Sequence, residues 1–237
     1  MREALVIAVA QPPCVAYDVG ANALAHADVV RAAGARVVVF PEMSITGYEL
    51  DAPVVAPGDQ RLAPIVDACR DSGAVALVGG PVGGVGDRAH IGVLAVDGSG
   101  ARVAYRKMWL GSDEAARFTP GDLPAVVEVD GWRLGLAVCK DTGVVRHASD
   151  TAALGMDVYA AGILHHAAEA GVHEARALRV AADHGVWVAV ASFAGSTGGG
   201  YDSALGGSGI WDPNGVVVAA AGARIGAVAP ATLTPPG

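Results

Sequence analysis

The chain is poor in lysine, in aromatic residues and in cysteine, and no apolar run in it is long. Only Lys107 and Lys140 among its 16 basic residues are lysines, and Phe, Trp and Tyr together make up 5% of 237 residues. Three cysteines, Cys14, Cys69 and Cys139, are too few and of the wrong parity for a disulfide framework. Gly, Arg, Asp or Pro interrupts every apolar stretch before the roughly 18 residues that a membrane span needs. The first stretch, Ala4 to Ala10, runs into Gln11-Pro12-Pro13 and reads as an edge of the fold rather than a signal peptide. Positive charge is also in deficit. A net charge of −8 and a pI near 5.2 argue against nucleic acid or an anionic membrane as partner. What the chain has in plenty is apolar: 52% hydrophobic residues against 17% charged, with a mean hydropathy of +0.41. That is ample for a large core. The expectation is a cytoplasmic globular protein with one domain over residues 1–237.

Periodicity predicts alternating strands and helices at both ends. Ala4 to Gln11 reads as a buried strand, and Asp18 as the N-cap of a helix with Ala23, Leu24, Ala27 and Val30 on one face and Asn22 and His26 on another. Gly34 closes that helix, and Arg36 to Phe40 is a second buried strand ending at Pro41-Glu42. A helix from Leu62 to Asp71 leads into a strand from Ala74 to Gly79. Hairpins are expected around Asp97-Gly98-Ser99-Gly100 and Asp130-Gly131. A strand over Asp157 to Leu164, a helix over Glu169 to Asp183 and a strand over Val186 to Phe193 follow, with a last hairpin around Asp212-Pro213-Asn214-Gly215 and a Pro-rich tail from Pro230. Helix–strand alternation with hairpins between predicts α/β layers and mixed sheets.

Three strands end in residues able to do acid–base or nucleophilic work. Glu42 closes one, Lys107 the next and Cys139 a third. Taken singly, each has a plain alternative: a solvent-facing carboxylate, a surface ammonium, a small buried thiol. Sites in α/β sheets gather at strand ends, so the coincidence counts for more than its parts. A helix beginning at Asp141 or Thr142 would present free amides to Cys139 and lower its pKa. In a chain that otherwise uses arginine, a retained lysine suggests a need for a compact ammonium. His165-His166 and His173 have no Cys or carboxylate partner at ligand spacing, so no metal site is expected. Gly198-Gly199-Gly200 lacks the residues of a phosphate loop.

The sequence resembles the carbon-nitrogen hydrolase (nitrilase) superfamily. Phe40-Pro41-Glu42 followed by Gly47-Tyr48, Tyr105-Arg106-Lys107, Phe118 to Asp122, Gly135 to Cys139 with Asp141, and Gly207 to Gly215 match its motifs in order, and Arg176 to Val190 resembles the helix and strand before the last of them. The resemblance implies a four-layer α-β-β-α sandwich with two mixed β-sheets and a Glu-Lys-Cys triad of Glu42, Lys107 and Cys139. It implies that Cys139 forms a thioester, that Glu42 carries the proton, and that Lys107 with the backbone N–H of Lys140 holds the oxyanion. A second glutamate falls on Glu114, with Asp113 one register away. The aromatic usual after the cysteine is replaced by Lys140, and an Arg-Phe-Pro-Glu-like run by Thr142 to His147. Tyr48, Trp109, Lys140, Thr142, His165 and Phe193 are the candidates for the substrate pocket, with Tyr201 a further aromatic beside them.

The expected function is cofactor-independent hydrolysis of a small amide or N-carbamoyl compound, with nitrile hydrolysis less favoured. Acyl transfer through the same acyl-enzyme is an alternative, and so is a non-catalytic binding or scaffold subunit. The family further implies a homodimer or a dimer of dimers. The long C-terminal extension of true nitrilases is not expected, since the late hairpin is followed only by the Pro-rich tail.

Overall fold

A computed structural model of the chain describes residues 2–84 and 88–235. The first part runs through strand β1 (Leu5–Ala10), helix α1 (Val19–Ala32), strand β2 (Val37–Val39), helix α2 (Ala63–Ser72) and strands β3 (Val75–Gly83), β4 (Ala89–Asp97) and β5 (Gly100–Arg106). Strands β6 (Val126–Val129) and β7 (Trp132–Val138), helix α3 (Val145–Ala152), strand β8 (Val158–Ile163), helix α4 (Ala170–His184) and strand β9 (Trp187–Ser192) follow. Short strands β10 (Ala194–Gly195), β11 (Ala204–Leu205), β12 (Gly209–Trp211), β13 (Val217–Ala220) and β14 (Val228–Leu233) complete it.

Two six-stranded mixed sheets form, in the orders β14-β1-β2-β3-β4-β5 and β13-β12-β9-β8-β7-β6. In the first, β1, β2 and β3 are parallel; in the second, β7, β8 and β9 are. Side chains alternate across a strand, so each sheet has an inner and an outer face. Ile7, Val9, Leu77, Leu134, Leu136 and Val138 face inward and join one core between the sheets. Ala8, Ala10, Val38 and Val78 face outward beneath α1 and α2. Ala137, Ala161 and Val190 of the second sheet pack under α3 and α4. The result is a four-layer α-β-β-α sandwich. Among the described residues, no helix is long and apolar enough to cross a membrane.

Three expectations need correction. Leu24 of α1 is 58% exposed, whereas Asn22 and His26, assigned to a separate face, are buried. Their polar atoms are satisfied by the Val15 backbone before α1, by Asn22 O within it, and by Ser44 and Ile45 of the loop after β2, which is what permits burial. Cys139–Gly143 forms a 3-10 turn in place of the helix start expected at Asp141 or Thr142, and α3 begins two residues later. The tail holds a strand: β14 pairs antiparallel with β1, Pro230 opposite Ala8. Proline is tolerated there because β14 is a sheet edge. The last two residues of the expected Pro-rich tail lie outside the described residues.

Candidate active site

The loop leaving β2 is pinned on every side. Phe40 N–H donates to Leu77 O at 2.9 Å, and Ile45 N–H to Gly79 O at 3.0 Å. From α1, Asn22 Nδ2 donates to Ile45 O at 3.1 Å, His26 Nε2 lies 2.9 Å from Ser44 Oγ, and the His26 ring stacks on Phe40. Two glycines let one strand of each sheet close on this loop. A Cβ on Gly162 of β8 would stand 2.6 Å from Phe40 O and 2.9 Å from Glu42 N, and one on Gly79 of β3 would collide with Pro41 O. Glu42 therefore projects from a gripped backbone.

Lys107 is the residue after β5, its N–H donating to Ile91 O at 2.8 Å. Its side chain is 1% exposed, and Nζ donates to Glu42 Oε1 and to Glu114 Oε1, each at 2.7 Å. Glu114, in the 3-10 turn Glu114–Ala116, also accepts from Tyr48 Oη at 2.6 Å and, through Oε2, from Gly111 N–H at 2.6 Å. Asp113, the alternative register, lies exposed at the surface. Every acceptor of Glu114 is engaged. Glu42 differs: its Oε2 is buried with no hydrogen-bond partner among the described residues.

Cys139 stands where β7 passes into its 3-10 turn, with φ at +42°. A non-glycine residue in that region is strained, and such strain is typical of side chains presented at functional turns. The thiol donates to Leu164 O at 3.4 Å. The expected lowering of its pKa is reversed. Burial of the sulfur and the nearby Glu42 carboxylate push the thiol up, more than the Lys107 ammonium and a hydrogen bond from the Leu164 backbone pull it down. A turn of five residues has little dipole to oppose this.

The same low-dielectric setting moves the other groups. Burial, with the Glu114 charge in support, pushes Glu42 up to about 7 in spite of the Lys107 ammonium. Burial works against the ammonium, yet Glu42, Cys139 and Glu114 hold Lys107 above its ordinary range. Glu114 is held low, because Lys107 and the Tyr48 hydroxyl outweigh its burial. The arrangement thus offers a neutral thiol, a carboxyl poised near neutrality and a fixed cation.

The remaining candidates are dispersed around this centre. Tyr48 joins it through Glu114, and its ring meets Tyr201 edge-on at 5.2 Å. Phe193 is fully buried in a small cluster with Leu164 and Ala204. The Trp109 N–H donates to Asp141 Oδ1 at 2.9 Å, and its side chain lines an open groove with Pro120, Leu123 and Arg146. The exposed Lys140 ammonium donates to Leu110 O at 2.6 Å. The Thr142 hydroxyl donates to Cys139 O at 2.6 Å. Thr142 and His165 line a small cavity with His173 and Arg176, between the second sheet and α4 and behind the cysteine turn. Among the described residues no cluster of three or more His, Cys, Asp or Glu has the geometry to hold a metal. The thiol's acceptor, Leu164 O, was missed by sequence reasoning, since a carbonyl carries no residue signal.

The chain was compared with known proteins. A family model described as carbon-nitrogen hydrolase matches residues 6–235. A protein described as "Hydrolase in pqqF 5'region" from Pseudomonas protegens is 32% identical over 165 residues, 64% of this chain and 56% of that protein. A "Nitrilase" from Pyrococcus abyssi is 30% identical over 135 residues, 54% and 51% of the two chains. The chain thus spans about half the length of the curated relatives it matches. Among solved structures, Saccharomyces cerevisiae Nit3, a member of branch 10 of the nitrilase superfamily, superposes with a TM-score of 0.87 at 20% identity, covering 98% of this chain and 91% of that one. An amidase from Nesterenkonia sp. gives 0.81 at 23%, covering 97% and 90%. At such identities the likeness is one of fold.

Proposed function

The chain belongs to the carbon-nitrogen hydrolase family, and from that membership we propose that it hydrolyses a non-peptide C–N bond of a small amide or N-carbamoyl compound through a thioester on Cys139. The observation that carries this reading is the division of labour at Glu42. One carboxylate oxygen is tied to Lys107, and the other is buried and unpartnered in the neighbourhood of the thiol.

In the proposed reaction Glu42 Oε2 takes the thiol proton as Sγ bonds to the substrate carbonyl carbon. The carbonyl oxygen becomes an oxyanion, held by the Lys107 ammonium and the N–H of Lys140, which lies in the first turn, where amides lack an intrahelical acceptor. Glu42 returns its proton to the amine nitrogen, the C–N bond breaks, and the thioester remains. Water, deprotonated by Glu42, then adds to the thioester. The C–S bond breaks, the acid leaves, and the proton returns to sulfur. Glu114 fixes Lys107 and has no proton-transfer step of its own. The raised thiol fits this scheme, since proton transfer is coupled to attack and no resting thiolate is needed.

The test is the intact mass of the protein after mixing with a library of small amides and N-carbamoyl compounds. A single acyl adduct that maps to Cys139 is expected, with Cys139→Ala remaining unmodified and without turnover. Appreciable turnover by Cys139→Ala would overturn the mechanism. Acid as the main product in the presence of added amine separates hydrolysis from acyl transfer.

A further inference from the structure

Beneath the cysteine turn runs a chain of four buried polar side chains that the proposed reaction does not use. Tyr105 on β5, Asp141 in the turn after β7, His147 on α3 and Tyr159 on β8 are each 3% exposed or less. Tyr105 Oη is 2.8 Å from Asp141 Oδ2 and 2.9 Å from His147 Nε2, and His147 Nδ1 is 2.8 Å from Tyr159 Oη. Asp141 also accepts the Val138 N–H through Oδ2 and the Trp109 N–H through Oδ1, both at 2.9 Å.

One proton arrangement satisfies every member. A carboxylate only accepts, so Tyr105 O–H must donate to Asp141. The Tyr105 oxygen is then free to accept the His147 Nε2–H, which leaves Nδ1 to accept Tyr159 O–H. His147 is the neutral Nε2–H tautomer, as its burial requires. The direction of the chain is fixed from Tyr159 to Asp141. Its near end holds the residues flanking the two reactive side chains: Val138 precedes Cys139, while Tyr105 and Trp109 each lie two residues from Lys107.

We propose that the Tyr159–His147–Tyr105–Asp141 chain is a positioning device that locks the strained Cys139 turn and the Lys107 segment in mutual register across the two sheets. None of the four touches substrate. Each acts through the backbone at Val138 and Trp109, so what it contributes is the placement of the thiol relative to the ammonium. A displacement of about 1 Å at a reacting group can cost roughly a hundredfold in rate.

The proposal rests on Cys139 as the nucleophile and is tested on the full chain with His147→Leu, His147→Gln and Tyr105→Phe. Turnover is measured per folded site, the folded fraction being taken from circular dichroism, together with the rate at which iodoacetamide alkylates Cys139, followed by peptide mass. His147→Leu and Tyr105→Phe should lower kcat by at least about tenfold with KM within about twofold, and slow alkylation of Cys139. Glutamine can donate to Tyr105 and accept from Tyr159 through one amide, so His147→Gln should recover most of the loss. A purely structural role would reduce the number of folded sites and leave kcat per site alone. Should His147→Leu not fold, Tyr105→Phe, which deletes a single oxygen, decides the matter. Unchanged kcat per site and alkylation rate in Tyr105→Phe would overturn the proposal. Absence of turnover in the parent protein would overturn the reading of Cys139 instead.

Discussion

The Lys107 ammonium is almost wholly enclosed, with two carboxylate oxygens at 2.7 Å. A guanidinium is planar and wider, and it cannot place one donor at each of those oxygens while keeping a third for an oxyanion. Lys107→Arg should therefore be nearly as inactive as Lys107→Ala. Loss of an oxyanion donor costs about 2.7–4 kcal/mol in transition-state stabilisation, and kcat/KM of the two variants on one amide checks the comparison. Glu42 supplies a second expectation. Its carboxyl, raised to about 7, must be ionised to accept the thiol proton, so kcat/KM should climb as pH rises through about 7 and flatten above. Glu42→Gln should remove that limb along with most activity. A limb near the ordinary carboxylate range would contradict the assignment. At this scale the sequence was legible as far as residue type and place, because Glu42, Lys107 and Cys139 each end a strand. The thiol's raised pKa was not legible, since it depends on burial and on a carboxylate that the fold brings in from another sheet.

Helix α1 shows where periodicity misled. Apolar spacing put Leu24 on the buried face, yet the helix turns its Asn22–His26 edge inward because that edge completes the hydrogen bonding of the Glu42 loop. A polar residue facing a loop carries the same sequence signal as one facing water. The partner makes the difference, and it lies far along the chain. This burial has a measurable consequence. Desolvation lowers His26 to about 4, against the raising effect of its hydrogen bond to Asn22 O, and burial lowers His165 to about 4 as well. A histidine lowered in the folded state binds more protons when unfolded. Its stabilising contribution is complete above about 6.5 and is lost as pH falls towards 4. For His26 alone the protein should be about 2 kcal/mol less stable at pH 5 than at pH 7. Urea denaturation at the two pH values measures the difference, and His26→Gln, whatever its stability at pH 7, should show a smaller drop between them. An equal drop in the variant would mean that His26 titrates normally. Strand β14 was missed for a related reason. Pro230 signals a break in a central strand, but pairing with β1 on one side only leaves its missing N–H without consequence.

The sandwich as a whole leaves apolar side chains on one outer layer. Val145 on α3, Leu154 just beyond it, and Val172 and Leu178 on α4 are 55%, 40%, 42% and 37% exposed. Leu178 stands beside Gly215, in the turn before β13, and next to that turn Val216, Val217 and Val218 are 58%, 47% and 45% exposed. Single exposed apolar residues need no explanation, but a set shared by two adjacent helices and an edge strand does. We propose that this layer meets its counterpart on a second copy, giving the homodimer that family membership suggests. The edge strand and the helices differ in what they can contribute. Strand β13 pairs with β12 on one side and could hydrogen-bond to another strand on the other, whereas α3 and α4 can only pack. Stable interfaces that exclude water rest on packed apolar centres, so the helices should carry the affinity. Sedimentation at micromolar concentration should accordingly give twice the 23.6 kDa of the chain. Val172→Asp combined with Leu178→Asp should shift the protein to the monomer, while Val217→Asp should weaken the dimer far less. If the strand variant dissociates the protein and the helix pair does not, the contact runs through the sheet edge. A parent protein that sediments as a monomer would leave the exposed layer without this partner.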